Sequence, residues 1–186
     1  GNPRVVVSGN VAVPWEAVRT LDACREQYVI HALNAPPGIP DRPGVTAETC
    51  FVGGGMRRHS TLSYVPSRLS LVPLLYAGPL PPDVVIVQCA PPRDGMLSLG
   101  IEVNVLPAAI EACRARSGLV VAVVNDRMPY AGGDALLDVS AVDLAVEVSQ
   151  PVPSHEPLAP DEHSRLIGER VASRVRDGAT IQAGIG

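Results

Sequence analysis

Short continuous apolar runs alternate with stretches of helical spacing along most of the chain, the pattern of strands buried on both faces and joined by helices. Arg4 to Ser8 is a β-branched run closed by Gly9-Asn10, and Pro14 can open the following helix because its missing N–H costs nothing in a first turn. In that helix, Pro14 to about Glu26, Trp15, Val18 and Leu21 share one face, with Ala17 and Cys24 beside them. Tyr28 to Leu33 predicts a second strand parallel to the first. Pro36, Pro37, Pro40 and Pro43 hold an extended loop, and Ala47 to Val52 predicts a third strand ending in Gly53-Gly54-Gly55.

Between Met56 and Pro82, prolines leave room only for short helical pieces such as Leu69 to Tyr76. Val84 to Ala90 is a continuous apolar run, expected as a central strand that feeds a loop from Pro91 to Gly100. Ile101 to Val105 alternates, which predicts a strand with Glu102 facing outward. Pro107 starts a helix whose Ala108, Ile110, Ala112 and Cys113 can face the sheet, and Gly118 stops it. Leu119 to Val124 and Val142 to Val148 are two further strands, the first with Asn125 at its carboxyl end.

Pro151, Pro153, Pro157 and Pro160 then mark a linker. Beyond it, Asp161 to Arg176 predicts a helix with acidic residues at its positive end and a buried seam of Ile167, Val171 and Val175. Gly178 caps it, and a short buried strand from Ala179 to Gln182 leads into Gly184-Ile185-Gly186. The predicted fold is α/β, a mostly parallel sheet with helices on both faces. Residues 1–150 form the first domain, 151–160 the linker, and 161–186 the start of a second, truncated domain. The absence of an initiator Met at Gly1 and the glycine turn at the other end are read as cuts in a larger protein.

Composition narrows the function classes. The chain is 46% hydrophobic with only 3% aromatic residues, so its core is built from Val, Leu, Ile and Ala. All 15 basic residues are Arg, a bias that points to GC-rich coding before any activity. A net charge of -4 without a basic run argues against nucleic acid, since neutralising phosphates requires clustered cations. No apolar stretch is long enough to span a bilayer and no signal peptide is visible, so the expected location is the cytoplasm, away from membranes. Cys24, Cys50, Cys89 and Cys113 lack metal-ligand or redox spacing and read as small buried hydrophobes.

In open α/β sheets ligands bind beyond the carboxyl ends of the strands, which directs attention to Gly53-Gly54-Gly55, Pro91 to Gly100, Asn125 to Pro129, and Gln182 to Gly186. Neither glycine cluster completes the Rossmann fingerprint, and a chain without Lys cannot supply a P-loop. There is no G-x-S-x-G elbow, and His155-Glu156 falls short of H-E-x-x-H. His31, His59 and His163 are scattered and read as structural, so no metal site is expected. Glu102 comes nearest to a carboxylate nucleophile near a glycine loop, yet its alternating surroundings favour a plain outward strand position.

Four blocks occur in an order that carries a resemblance. Pro82 to Gly100, Tyr64-Val65-Pro66 with Leu69-Ser70, Val124-Asn125 with Met128-Pro129 and Gly132 or Gly133, and Asp177 to Gly186 resemble the amino-terminal domain of the acetyl-CoA hydrolase/transferase family. That family includes 4-hydroxybutyrate and butyrate:acetate CoA-transferases. The resemblance implies a class I CoA-transferase (NagB-like) fold of two related α/β domains. It also implies a glutamate that attacks an acyl-CoA thioester and passes CoA to a small carboxylate, or to water. That glutamate would lie past Gly186, in a carboxyl-terminal domain, so the present chain is expected to be inactive alone.

Coenzyme A or acyl-CoA then enters as substrate, with no permanently bound cofactor; separately, a cut between domains should expose an apolar face near the final helix and strand, so a homo-oligomer is expected. Gln182, Gly184 and Gly186 would donate to the thioester oxygen or the CoA tail. Ser98 and Gly100 would wall the pocket, while Asn125, Met128 and Pro129 would shape the acyl side. Ala90, Arg93, Asp94 and Asp126 depart from the usual family residues, so acyl specificity is not carried over. A non-catalytic CoA- or nucleotide-binding or interaction module of the same fold stays open.

Overall fold

Valine and isoleucine dominate β1 (Arg4–Val7), which the chain leaves through α1 (Trp15–Cys24) to reach β2 (Tyr28–His31) alongside it. The computed structural model describes residues 2–154 and 158–182, which fall into two units divided between Pro153 and Ser154.

In the first unit β3 (Val45–Thr49) and β4 (Leu62–Tyr64) extend the sheet outward from β2. The chain crosses back through α2 (Val72–Ala77) to the central β5 (Val84–Arg93), followed by β6 (Met96–Ser98), α3 (Leu106–Ala115) and β7 (Leu119–Asn125). The short β8 (Leu136–Asp138) and the edge strand β9 (Leu144–Val148) complete the unit. The order β4-β3-β2-β1-β5-β7-β9 is parallel at every pairing, while β6 and β8 add antiparallel pairs to the far end of β5.

Alternation along each strand divides the core between two faces. Val5, Val7, Ile30, Val45 and Ile86 turn to one face, where α1 packs Val18 with the partly buried Trp15 and Leu21. Val6, Val85, Val87, Cys89 and Val120 turn to the other, beneath Val72 and Tyr76 of α2 and Leu106, Ala109, Ile110 and Cys113 of α3. Burial of each such large side chain contributes roughly 1.5–3 kcal/mol. The α/β architecture with helices on both faces is the one the apolar runs predict.

Several local expectations are corrected. Pro91 to Gly100 is a β-hairpin rather than a loop: β5 runs on to Arg93, and Asp94 (φ +49°) with Gly95 (φ +78°) forms the turn into β6. Two consecutive positive-φ residues match the right-handed twist of a hairpin. β4 has no counterpart in the sequence reading, because three residues are too few for a periodicity. Ile101 to Val105 forms no strand, and Glu102 is 2% exposed instead of outward-facing. Cys24, expected to be buried, is exposed at the last position of α1.

The second unit contains α4 (Glu162–Ala172), whose N-cap Asp161 accepts a hydrogen bond from the Ser164 amide at 2.7 Å. Its expected seam is uncovered: Ile167, Val171 and Val175 are 63%, 58% and 40% exposed. Residues 179–182 form no strand, for they pair with no other described strand. A strand exists only through its neighbours' N–H and C=O groups, and none of those among the described residues is offered to it.

Candidate functional site: the strand-end rim

Three loops meet at the carboxyl ends of β1, β2 and β3. Gly9 follows β1 so closely against β2's exit that a Cβ there would overlap the Leu33 carbonyl, and the Asn10 amide donates to that same oxygen at 2.9 Å. Asn10 and Asn34 are both left-handed, at φ +46° and +45°, a conformation that Asn tolerates better than most residues. The Asn34 Nδ2 donates to Asn10 Oδ1 at 2.8 Å. Gly53 has no side chain because Asn34 Oδ1 occupies the place of its Cβ, and Gly55 likewise lies against the Ala35-Pro36 backbone.

Glu102 enters this rim from the segment after β6. Its Oε2 accepts from Asn10 Nδ2 at 2.5 Å and its Oε1 from Asn104 Nδ2 at 3.0 Å. Asn104 is a third left-handed asparagine, at φ +27°. Among the described residues no cation forms an ion pair with Glu102. Left-handed non-glycine residues gathered around one buried carboxyl group are the kind of local strain that collects at functional sites.

A second cluster stands at the ends of β5 and β7. Gln88 donates to the Ala12 carbonyl at 2.9 Å and accepts from Asn125 Nδ2 at 2.7 Å. Asn125 Nδ2 also donates to the Gln150 carbonyl at 2.9 Å, and its Oδ1 accepts from the Arg127 and Gln150 amides at 3.1 and 3.0 Å. Ser98 Oγ donates to the Ala131 carbonyl at 2.7 Å and accepts from the Gly100 and Ala131 amides at 3.1 and 2.9 Å. Gly100, at φ +63°, has Met128 packed where a Cβ would stand, with the Pro129 carbonyl close by.

Ser98, Gly100, Asn125, Met128 and Pro129, separate candidates in the sequence, thus form one brace that shapes the 125–131 loop. Met128 is buried and Pro129 faces solvent. Gln182 lies exposed in the second unit, and Gly184 and Gly186 fall outside the described residues. Sequence reasoning misses Asn10, Asn34, Asn104 and Gln88 as site-building residues. The available signal is an asparagine just past each of two strands, where a left-handed turn suits that side chain.

Thiol chemistry is disfavoured here. Burial pushes Cys89 up to about 12 and Cys113 up to about 11, and burial followed by the Glu48 charge raises Cys50 as well. Thiols so shifted hold little of the reactive thiolate near neutrality. Among the described residues no group of three or more His, Cys, Asp or Glu could hold a metal ion, and no helix is long and apolar enough to cross a membrane. His31 Nδ1 lies 3.0 Å from Glu48 Oε1, which also takes the Arg4 Nε at 3.0 Å. This ion pair lies within the sheet, between β1, β2 and β3. The rim therefore offers amides, carbonyls and one carboxyl group, all able to hydrogen-bond a polar ligand.

Residues 41–154 match the model of the acetyl-CoA hydrolase/transferase N-terminal domain. Across 98% of its length the chain is 32% identical to 4-hydroxybutyrate coenzyme A transferase of Clostridium kluyveri, and covers 45% of that protein. A succinyl-CoA:acetate/propanoyl-CoA:succinate CoA transferase of Fasciola hepatica is 35% identical over 142 residues, with 29% of its length covered. In three dimensions, 99% of the chain superposes on 44% of a 4-hydroxybutyrate CoA-transferase from Porphyromonas gingivalis, with a TM-score of 0.68 and 27% identity. The chain spans less than half the length of each of these relatives. From the domain match and the shared parallel sheet, the chain belongs to the acetyl-CoA hydrolase/transferase family, to whose N-terminal domain it corresponds.

Proposed function

We propose that this chain is the amino-terminal part of an enzyme that moves CoA from an acyl-CoA to a small carboxylate, or hydrolyses the acyl-CoA. The residue correspondence to a CoA-transferase along nearly the whole chain carries this reading. The polar rim at the strand ends, with its hydrogen-bonding groups, supports it. The reaction would run through a glutamyl-CoA thioester on a glutamate outside this chain, dividing one difficult acyl transfer into two easier covalent steps.

In that scheme the rim of Asn10, Asn34 and Asn104 faces the thioester, while the brace of Ser98, Gly100 and Asn125 holds Met128 and Pro129 against the acyl side. By the family resemblance, Gln182, Gly184 and Gly186 would supply amide donors to the thioester or the CoA tail. CoA is a substrate throughout and not a resident cofactor. The uncovered α4 seam and the half-exposed Leu144 and Val146 of β9 favour self-association of the chain in solution.

The test is ligand protection against thermal unfolding, with CoA compared with NAD and ATP. CoA is expected to raise the midpoint; protection by NAD or ATP and not by CoA overturns the reading. The same preparation is expected to show no CoA exchange between acetyl-CoA and butyrate. Measurable turnover would show that the nucleophile is not elsewhere.

A further inference from the structure

Glu102 is almost completely buried, yet it meets two side-chain amides and no cation among the described residues. A buried carboxyl group that served only to fill space would be replaced without loss by an apolar residue of its size. Its contacts instead have a direction. Asn10 must turn its NH2 toward Glu102 to satisfy Oε2, which leaves its carbonyl facing the other way. That carbonyl accepts from Asn34 Nδ2, so the Asn34 amide is turned as well, with its own oxygen laid over Gly53. One carboxyl group thereby selects the orientation of two amides across the exits of β1, β2 and β3.

We propose that Glu102 is a positioning residue: it sets the amide of Asn10, and through it that of Asn34, so that the rim presents a defined donor and acceptor pattern to acyl-CoA. This role rests on the CoA-transferase reading. Asn34 is exposed and Asn10 partly so, which puts the oriented end of the chain of bonds where a ligand can reach it. Asn104 is also exposed and free to reverse its amide without disturbing the interior. The essential feature is an acceptor facing Asn10.

Two substitutions separate this role from packing. Glu102→Met keeps the volume and removes the acceptor. Glu102→Gln keeps an acceptor toward Asn10, because its NH2 can face Asn104 once that exposed amide turns over. CoA affinity, measured by calorimetry on the full chain, is expected to fall about tenfold in Glu102→Met and to stay within about threefold of wild type in Glu102→Gln. In amide NMR spectra the Asn10 and Asn34 side-chain NH2 signals should move in Glu102→Met and hold in Glu102→Gln.

Equal affinities in both variants, or unmoved Asn10 and Asn34 signals in Glu102→Met, overturn the proposal. If Glu102→Met does not fold, Asn34→Gly reads the same chain from its exposed end and keeps the left-handed backbone. It is expected to shift the Asn10 NH2 signals and weaken CoA, and unchanged values there would also overturn the proposal. Failure of the wild-type chain to bind CoA defeats the functional reading instead, and the NMR comparison still decides the role of Glu102.

Discussion

Asn125→Asp tests whether the β5–β7 brace is architecture that the loop depends on. The change preserves shape, and the new carboxylate keeps the oxygen that accepts from the Arg127 and Gln150 amides. Its second oxygen, however, replaces an NH2 that donated to Gln88 Oε1 at 2.7 Å and to the Gln150 carbonyl at 2.9 Å. Two attractive contacts become oxygen against oxygen. Rotating the Gln88 amide does not help, for its own oxygen would then face the Ala12 carbonyl, now 2.9 Å from Nε2. Each acceptor left unsatisfied in the interior costs about 1–3 kcal/mol, and the variant adds a buried charge met only by the Arg127 and Gln150 amides, so the loss is expected to be about 3–5 kcal/mol at neutral pH.

Urea titration at two pH values checks this. Burial beside two carbonyls outweighs the Arg127 and Gln150 amides and raises the folded pKa of the introduced carboxyl group above its unfolded value of about 3.9. A raised acid pKa destabilises the folded state above the unfolded pKa, and the penalty shrinks as acid protonates the group and restores a donor. The difference from wild type should therefore narrow from about pH 7 toward about pH 4. A loss under about 1 kcal/mol at neutral pH, or a loss unchanged in acid, would refute the reasoning.

Three further outcomes are expected. Arg42 donates to the Asp22 carboxylate at 2.8 Å and to the Arg25 and Glu26 carbonyls at 2.6 and 2.8 Å just past α1, and its side chain is 33% exposed. Discounted for that exposure, Arg42→Ala should cost about 1–2 kcal/mol and Arg42→Lys most of the same, because an ammonium cannot reproduce the fork; equal stability of Lys and wild type by urea unfolding would count against it. For Glu48, burial alone would raise the pKa, but hydrogen bonds from His31 and Arg4, with their charges, outweigh it and hold the group below its ordinary 4.5. Its contribution is present above 4.5 and lost as pH falls through the depressed folded value, so Glu48→Gln should flatten the acid limb of the stability curve. Finally, iodoacetamide at about pH 7.5 should label Cys24 alone in the native protein and all four thiols after denaturation; native labelling of Cys89 would contradict its burial.

The strands that matter most are legible because they are long and apolar. Val85 to Ala90 and Val120 to Val124 are buried or nearly so on both faces, so the run itself announces them. The hairpin after β5 is not legible, although Asp94-Gly95 is a turn signal, because the flanking prolines conceal the strand. Glu102 is misplaced by its pattern for a related reason. Alternation in Ile101 to Val105 mimics a strand, but the positive φ values of Gly100 and Asn104 bend the chain and drive Glu102 inward. Ile167, Val171 and Val175 show a correct helical spacing, which says that a face is apolar without saying what covers it.

By itself, the amino-acid sequence determined what depends on neighbours in the chain: the apolar runs, the helix starts at Pro14 and Asp161, and the motif blocks that mark the family. Tertiary structure alone decided the meeting of Asn10, Asn34 and Glu102, and of Gln88 with Asn125. Those partners stand as far as 92 residues apart. No periodicity or propensity reports a hydrogen bond over such a separation. It forms only because parallel strands return their carboxyl ends to one side of the sheet, where glycines let the loops touch.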